Sequence, residues 1–287
     1  MANLEYGLLF AIISMLAFGV FDYLFAVAAR RVGVFKVPLY FLMFSLPLFA
    51  LFLIGVPIGP LLYGSIPIII AIAAFAAIGT LSISKGMSIG QVSIVIPIAA
   101  TWVVVTVVLS LLFLHEPLTL LESIAIVIII TGTMLASLKL HDFKKAKLKK
   151  VSKGVSYALL TAVSWGIYYF LLGSFTSKVG WYQAAFLYNI PAVIFILITG
   201  LATGKDVSFP KGNALFLVAV LAVINVIGIS AISLSFSYGY VAITAPITSS
   251  AIVITVFLAL ILLKEKPEMN QLLGMALVIA GILLVSI

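Results

Sequence analysis

Residues 90–138 read GQVSIVIPIAATWVVVTVVLSLLFLHEPLTLLESIAIVIIITGTMLASL, and residues 239–287 read GYVAITAPITSSAIVITVFLALILLKEKPEMNQLLGMALVIAGILLVSI. Laid on each other without a gap at an offset of 149, the two stretches are identical at 16 of 49 positions. Leu, Ile and Val coincide by chance in any two apolar segments. Chance does not hold Gly90 over Gly239, Pro97 over Pro246, Glu116 over Glu265 and Gly132 over Gly281 in one register. A second block aligns residues 7–33 with 154–180 at an offset of 147, matching Gly7 to Gly154, Ala11 to Ala158, Gly19 to Gly166, Leu24 to Leu171 and Val32-Gly33 to Val179-Gly180. The chain is therefore read as a duplication.

Composition says what is duplicated. Of 287 residues, 64% are apolar and 8% charged, against about 45–50% and about 25% in a soluble domain, which excludes a water-soluble globule. A helix rising about 1.5 Å per residue needs about 20 apolar residues to cross a bilayer. Uninterrupted apolar segments lie near 4–29, 35–55, 66–88, 92–114, 119–138, 154–174, 181–203, 213–236, 243–263 and 270–287. The expected fold is an all-α polytopic membrane protein of ten transmembrane helices. Five fall in a first repeat (1–138) and five in a second (154–287), joined by a basic connecting loop (139–153). Because five is odd, the second unit enters the membrane from the opposite side and the repeat is inverted. Halves of opposite orientation can exchange conformations and open a midplane cavity to each side in turn, which is alternating access. The segment 213–236, with Asn225 and the nearby series Ser230, Ser233, Ser235, Ser237, is expected to face protein or water in its second half.

The net charge is +8. Fifteen of the sixteen Lys and Arg residues fall on one face: Arg30, Arg31, Lys36, Lys85, seven between Lys139 and Lys153, then Lys205, Lys211, Lys264 and Lys266. Only Lys178 lies on the other. The excess marks the cytoplasmic face of a multi-pass cell-membrane protein and puts both termini outside. The lysine run reads as a topology determinant and a contact for anionic lipid, not for nucleic acid. The first segment lacks the basic leading region of a secretory signal. With no cysteine, and with His115 and His141 both in expected loops, no metal or other cofactor is expected. No G-x-x-x-x-G-K-[ST] loop for ATP occurs.

The repeated motif runs from Gly90-Gln91-Val92-Ser93 to Pro97, then Glu116 and Gly132; its second copy runs from Gly239-Tyr240-Val241-Ala242 to Pro246, then Leu263-Lys264-Glu265 and Gly281. With Phe18-Gly19 and Trp165-Gly166 leading the two halves, the chain resembles the EamA family of the drug/metabolite transporter superfamily over essentially its whole length. The resemblance implies a basket of five plus five helices. Its central cavity would be lined mainly by the first, third, fourth, sixth, eighth and ninth. It also implies transport of amino acids and other small metabolites, often outward. Two features depart from the family. Many relatives keep both termini in the cytoplasm, and the Gly usual before the acidic residue is His115 in one copy and Lys264 in the other.

Candidate site residues follow from what is unusual inside apolar segments. Asp22 is the only carboxylate well inside one. An ionisable group there costs about 2.5–3.5 kcal/mol on insertion scales, so it faces the bundle interior, as a substrate ligand or as half of a structural ion pair. It shares a helical face with Ala11, Ser14, Gly19 and Ala26. Lys85 either pairs with Asp22 to hold the two ends of a zwitterion or snorkels to the interface. Thr161, Trp165, Tyr168 and Tyr169 offer aromatic walls with polar tips, and Tyr169 occupies the repeat position of Asp22. Thr101 and Trp102 from the fourth segment, and Thr248, Ser249 and Ser250 from the ninth, face the same centre. The alternatives are core packing for the aromatics and bonding back to their own helix for the hydroxyls. Pro97 and Pro246 each remove a backbone hydrogen bond and are candidate hinges. Glu116 and Glu265 read as helix-end residues.

The leading functional reading is a secondary transporter, and an exporter, of small organic metabolites with amino acids foremost, acting as a monomer or homodimer. A multidrug exporter of hydrophobic cations is the alternative, and requires Lys85 to lie outside the site. An intramembrane lipid-modifying enzyme would need convergent His, Asp or Ser-Lys groups at one depth, and only Asp22 and Lys85 offer themselves.

Overall fold

A computed structural model describes residues 4–54, 61–90, 92–138, 148–262 and 267–286. Among these residues every regular element is a helix. The first half contains α1 (Leu4–Val32), α2 (Lys36–Leu51), α3 (Leu61–Ile89), α4 (Val92–Ala100), α5 (Trp102–Leu109) and α6 (Leu120–Ser137). The second contains α7 (Leu148–Val179), α8 (Trp181–Leu187), α9 (Asn189–Ala202), α10 (Asn213–Tyr238), α11 (Val241–Ser249), α12 (Ala251–Leu262) and α13 (Met269–Val285). A π-helical turn, Ser110–Leu114, continues α5. Eight helical stretches are long and apolar enough to cross a membrane, while α2 and α13 are apolar but have 16 and 17 residues. Bare aliphatic and aromatic side chains cover the outside, Leu120 and Phe216 being 78% and 73% exposed, a surface that only lipid solvates without penalty. Helix α7 starts at Leu148, so the end of the expected 139–153 loop is helical. Its Leu and Lys residues are good helix formers, and no Gly or Pro interrupts them before Gly154. Lys139 to Lys147, with His141, and Glu265 lie outside the described residues.

Glycines decide how closely the central helices approach. A β-carbon on Gly19 of α1 would stand 2.8 Å from the Ala251 carbonyl oxygen and against the Ile254 side chain; one on Gly166 of α7 would stand 2.8 Å from the Trp102 carbonyl oxygen and against Val105. Across each notch a threonine donates to the glycine carbonyl, Thr255 Oγ1 to Gly19 and Thr106 Oγ1 to Gly166, both at 3.0 Å. These partners are the same alignment positions, exchanged between the halves. The correspondence continues. Ser14 Oγ donates to the Gly228 carbonyl at 3.0 Å and Thr161 Oγ1 to the Gly79 carbonyl at 3.4 Å. Phe18 occupies the space a side chain on Gly228 would need, and Trp165 the space at Gly79. A β-carbon on Gly7 would lie 2.9 Å from Gly239 Cα, and one on Gly154 2.8 Å from Gly90 Cα. Helix α1 is thereby locked to α10 and α12, and α7 to α3 and α5.

The helical ladder is interrupted one turn after each of the two matched prolines. Helix α4, containing Pro97, ends at Ala100 and gives way to α5 through Thr101; α11, containing Pro246, gives way to α12 through Ser250. Proline cannot donate to the preceding turn. The ladder tightens where it resumes, with Thr101 N donating to the Ile98 carbonyl at 3.2 Å and Ser250 N to the Ile247 carbonyl at 3.1 Å.

Glu116 joins the halves at the end of the π-helical turn. Its Oε1 accepts from Val241 N and its Oε2 from Ala242 N, both at 2.8 Å, so one carboxylate satisfies two of the orphan N–H groups that begin α11. Burial pushes this carboxyl up from the usual Glu range while the two N–H groups pull it down. His115 immediately before it takes the left-handed conformation (φ 51°), the backbone need that a Gly meets at lower cost. Capping boxes then start α6 (Thr119 with Glu122) and α13 (Glu268 with Gln271) at equivalent positions.

Two substitutions test this corner by thermal unfolding of the purified chain. Glu116→Gln presents an amide donor to one of the two N–H groups and lowers stability by about 1–3 kcal/mol. His115→Gly relieves the left-handed residue and raises stability by up to about 1 kcal/mol. A neutral result for the first would remove Glu116 as a cap.

Candidate functional site

The glycine notches and the two helix breaks converge on a cavity of about 160 Å³ between α1, α7, α10 and the α4–α5 and α11–α12 junctions. Phe18 and Trp165 reach it because Gly228 and Gly79 leave room for their rings. The Phe-Gly and Trp-Gly pairs thus have two tasks: the glycine admits one neighbouring helix, and the aromatic enters a notch in another.

Asp22 projects from α1 into this space. Its side chain is exposed there, and it has no hydrogen-bond or ion-pair partner among the described residues. No Lys or Arg lines the cavity among those residues. One wall is aromatic. Trp102 and Tyr169 lie with ring centroids 4.3 Å apart at 32°, Tyr169 and Tyr168 at 4.5 Å, and Tyr168 and Tyr188 at 5.4 Å. The Tyr168 hydroxyl donates to that of Tyr188 at 2.8 Å, fixing the outer part of the wall. The other wall carries Thr248, Ser249 and Asn225. Ser249 Oγ donates to the Pro246 carbonyl at 2.7 Å and Asn225 Nδ2 to Ser45 Oγ at 3.2 Å, whereas the buried Thr248 hydroxyl has no partner.

Asp22, Trp102, Trp165, Tyr168, Tyr169, Thr248 and Ser249 are thus brought together as the sequence reading expects. Lys85 and Thr101 are not. Lys85 is exposed near the end of α3 and is not among the residues that line the cavity, and the Asp22–Lys85 pair does not form. Thr101 Oγ1 bonds back to the Ile98 carbonyl at 2.7 Å. Thr161 is not among the lining residues, and its hydroxyl donates to the Tyr157 carbonyl at 2.9 Å. Pro97 and Pro246 shape the junctions without lining the space. Ser230, Ser233 and Ser235 are buried and without partners, while Ser237 is exposed.

Tyr188, Phe21 and Thr80 also line the cavity and were not singled out from the sequence. A polar signal existed only for Tyr188, beside Asn189 and just before Pro191 in an apolar run. Among the described residues no group of three or more His, Cys, Asp or Glu could hold a metal. Tilted aromatic rings beside one carboxylate are suited to a positive charge, by cation–π attraction and by direct Coulomb attraction at low dielectric.

Comparison with known proteins agrees with this architecture. A stretch of 66 residues is 42% identical to an uncharacterized protein of Methanocaldococcus jannaschii, covering 23% of this chain and 48% of that protein. The chain thus spans about half the length of the curated relative it matches. A crystal structure of 13% sequence identity superposes with a TM-score of 0.80 over 98% of this chain and 96% of its own. The model of the EamA-like transporter family matches twice, over residues 5–138 and 152–287. The chain belongs to the EamA-like transporter family, a family of drug and metabolite transporters.

Proposed function

We propose that this protein is a secondary transporter that moves small organic molecules bearing a positively charged nitrogen, by alternating access of the cavity around Asp22. The observation that carries this reading is the combination of an unpartnered carboxylate, an aromatic wall and the absence of any basic side chain lining the cavity among the described residues. A zwitterion held between Asp22 and Lys85 loses its second charge, since Lys85 stands apart. Amino acids remain the second reading on a different footing. Their amine would meet Asp22 and their carboxylate the unpartnered Thr248 hydroxyl.

The alternating-access part rests on ten crossings arranged as an inverted repeat. The exchanged contacts support it: Thr255 on Gly19 against Thr106 on Gly166, and Ser14 on Gly228 against Thr161 on Gly79. The proposed orientation places both termini outside and the plasma membrane as the home of the protein. It is supported by the meeting of Arg31, Lys36 and Lys211 around one recess at the end of α1.

Counterflow in proteoliposomes tests the substrate class. Organic cations and amines exchange saturably, and Asp22→Asn lowers exchange at subsaturating substrate by about 100-fold or more, the scale of a buried charge left unpaired. Trp102→Leu lowers it about tenfold, and Lys85→Gln leaves it unchanged. Exchange confined to neutral amino acids would favour the second reading, and loss of transport in Lys85→Gln would refute both. For orientation, a Lys147→Cys variant of this cysteine-free chain resists impermeant thiol reagents in intact cells and reacts after permeabilisation. Labelling from outside would reverse the assignment.

A further inference from the structure

A second, wider recess of about 590 Å³ opens where α1 ends and α2 and α10 begin. The apolar stretch of α1 closes at Ala29 and that of α10 begins at Asn213, so the recess lies at the depth of bilayer headgroups. Arg31, Lys36 and Lys211 border it together with Ser208 and Phe209. Lys36 is already neutralised: its ammonium lies 2.5 Å from Asp206 Oδ2 and donates to Ser208 Oγ at 2.8 Å. The hydrogen bond from Lys36, with a second from Ser208 N, holds the Asp206 carboxyl down at about 2. A depressed carboxyl contributes its stability above its unfolded value and loses it as pH falls through about 2, so Asp206 carries its charge opposite Lys36 at any pH a cell meets. Arg31 and Lys211 are exposed and have no acidic partner among the described residues. Three cations less one carboxylate leave the recess with an excess of two positive charges.

The recess is also amphipathic. Phe209 packs edge-on against Tyr40 at 5.5 Å yet remains 52% exposed, and Phe216, in the first turn of α10, is 73% exposed. A free anion has no use for such aromatic surface, whereas a lipid presents a phosphate and acyl chains at adjacent depths.

We propose that this recess binds the phosphate of an anionic membrane lipid, with the Arg31 guanidinium and the Lys211 ammonium holding the phosphodiester and Phe209 lying along the glycerol and acyl region. The Lys36–Asp206 pair frames the site and keeps Ser208 in place. Because Arg31 ends α1 and Lys211 precedes α10, the bound lipid ties together the two helices that carry Asp22 and Asn225 into the central cavity.

The test is the thermal unfolding midpoint of the full chain in detergent, titrated with phosphatidylglycerol, phosphatidylcholine or glycerol 3-phosphate. Phosphatidylglycerol raises the midpoint and the other two do not. Each basic residue facing an anionic surface contributes roughly fivefold in affinity, so an Arg31→Gln/Lys211→Gln variant requires about thirtyfold more phosphatidylglycerol for the same shift. Lys178→Gln, on the opposite face, titrates as the native chain does. Should the double variant fail to fold, Lys211→Gln alone carries the comparison with a shift of about fivefold. Equal effects of phosphatidylcholine, an unchanged titration in the variants, or an equal response to glycerol 3-phosphate would each overturn the proposal, the last by assigning the recess to a soluble phosphate.

Discussion

Everything central in this fold depends on backbone approaching backbone at glycine. Lipid tails are as apolar as a leucine side chain, so helices in a bilayer gain little by hiding apolar surface from one another. They associate where small residues allow close contact and where a hydroxyl can reach a carbonyl across the gap. Gly19 and Gly166 provide both, each receiving a helix and each accepting a threonine hydroxyl. Gly79 and Gly228 then hold the rings of Trp165 and Phe18. The cavity is what remains at the centre once these approaches are made.

The parts of this arrangement that could be read from the sequence are those that leave chemically distinctive residues in register. Gly7, Gly19, Gly90 and Pro97 have counterparts at fixed offsets, and each takes part in an equivalent contact or break. Asp22 and the Trp165-to-Tyr169 stripe stand out because charge and large aromatic surface are rare choices inside an apolar helix. Lys85 is different. Helical rise puts it near the level of Asp22, but rise alone does not say toward which side a long flexible stem turns, and it does not turn into the cavity. Thr101 illustrates a related ambiguity. Hydroxyls near a proline can line a cavity or bond to the loosened turn, and local geometry decides for the latter. Phe21 and Thr80 enter the cavity from α1 and α3, through packing contacts that no short-range signal encodes.

Glu116 has no place in the cavity but ties the two halves together. It hangs from the loop between α5 and α6 in the first repeat and caps α11 in the second, so the start of α11 is held to the loop that carries Glu116. Helix α11 is thus held at its start by the carboxylate and ends at Ser250, beside Thr248 and Ser249. The left-handed His115 fixes the direction from which the carboxylate arrives.

The lone carboxylate in the cavity has a kinetic consequence. On the proposed reading, a loaded cavity is charge-neutral, because a cationic substrate meets the Asp22 carboxylate and no basic side chain lines the space among the described residues. The empty carrier must reorient with a bare carboxylate inside the membrane span, or take up a proton first. Return without cargo is then the slow half of the cycle, and substrate on the far side accelerates it. A carrier so constrained exchanges solutes faster than it moves them one way, and it passes few ions when no cargo is present.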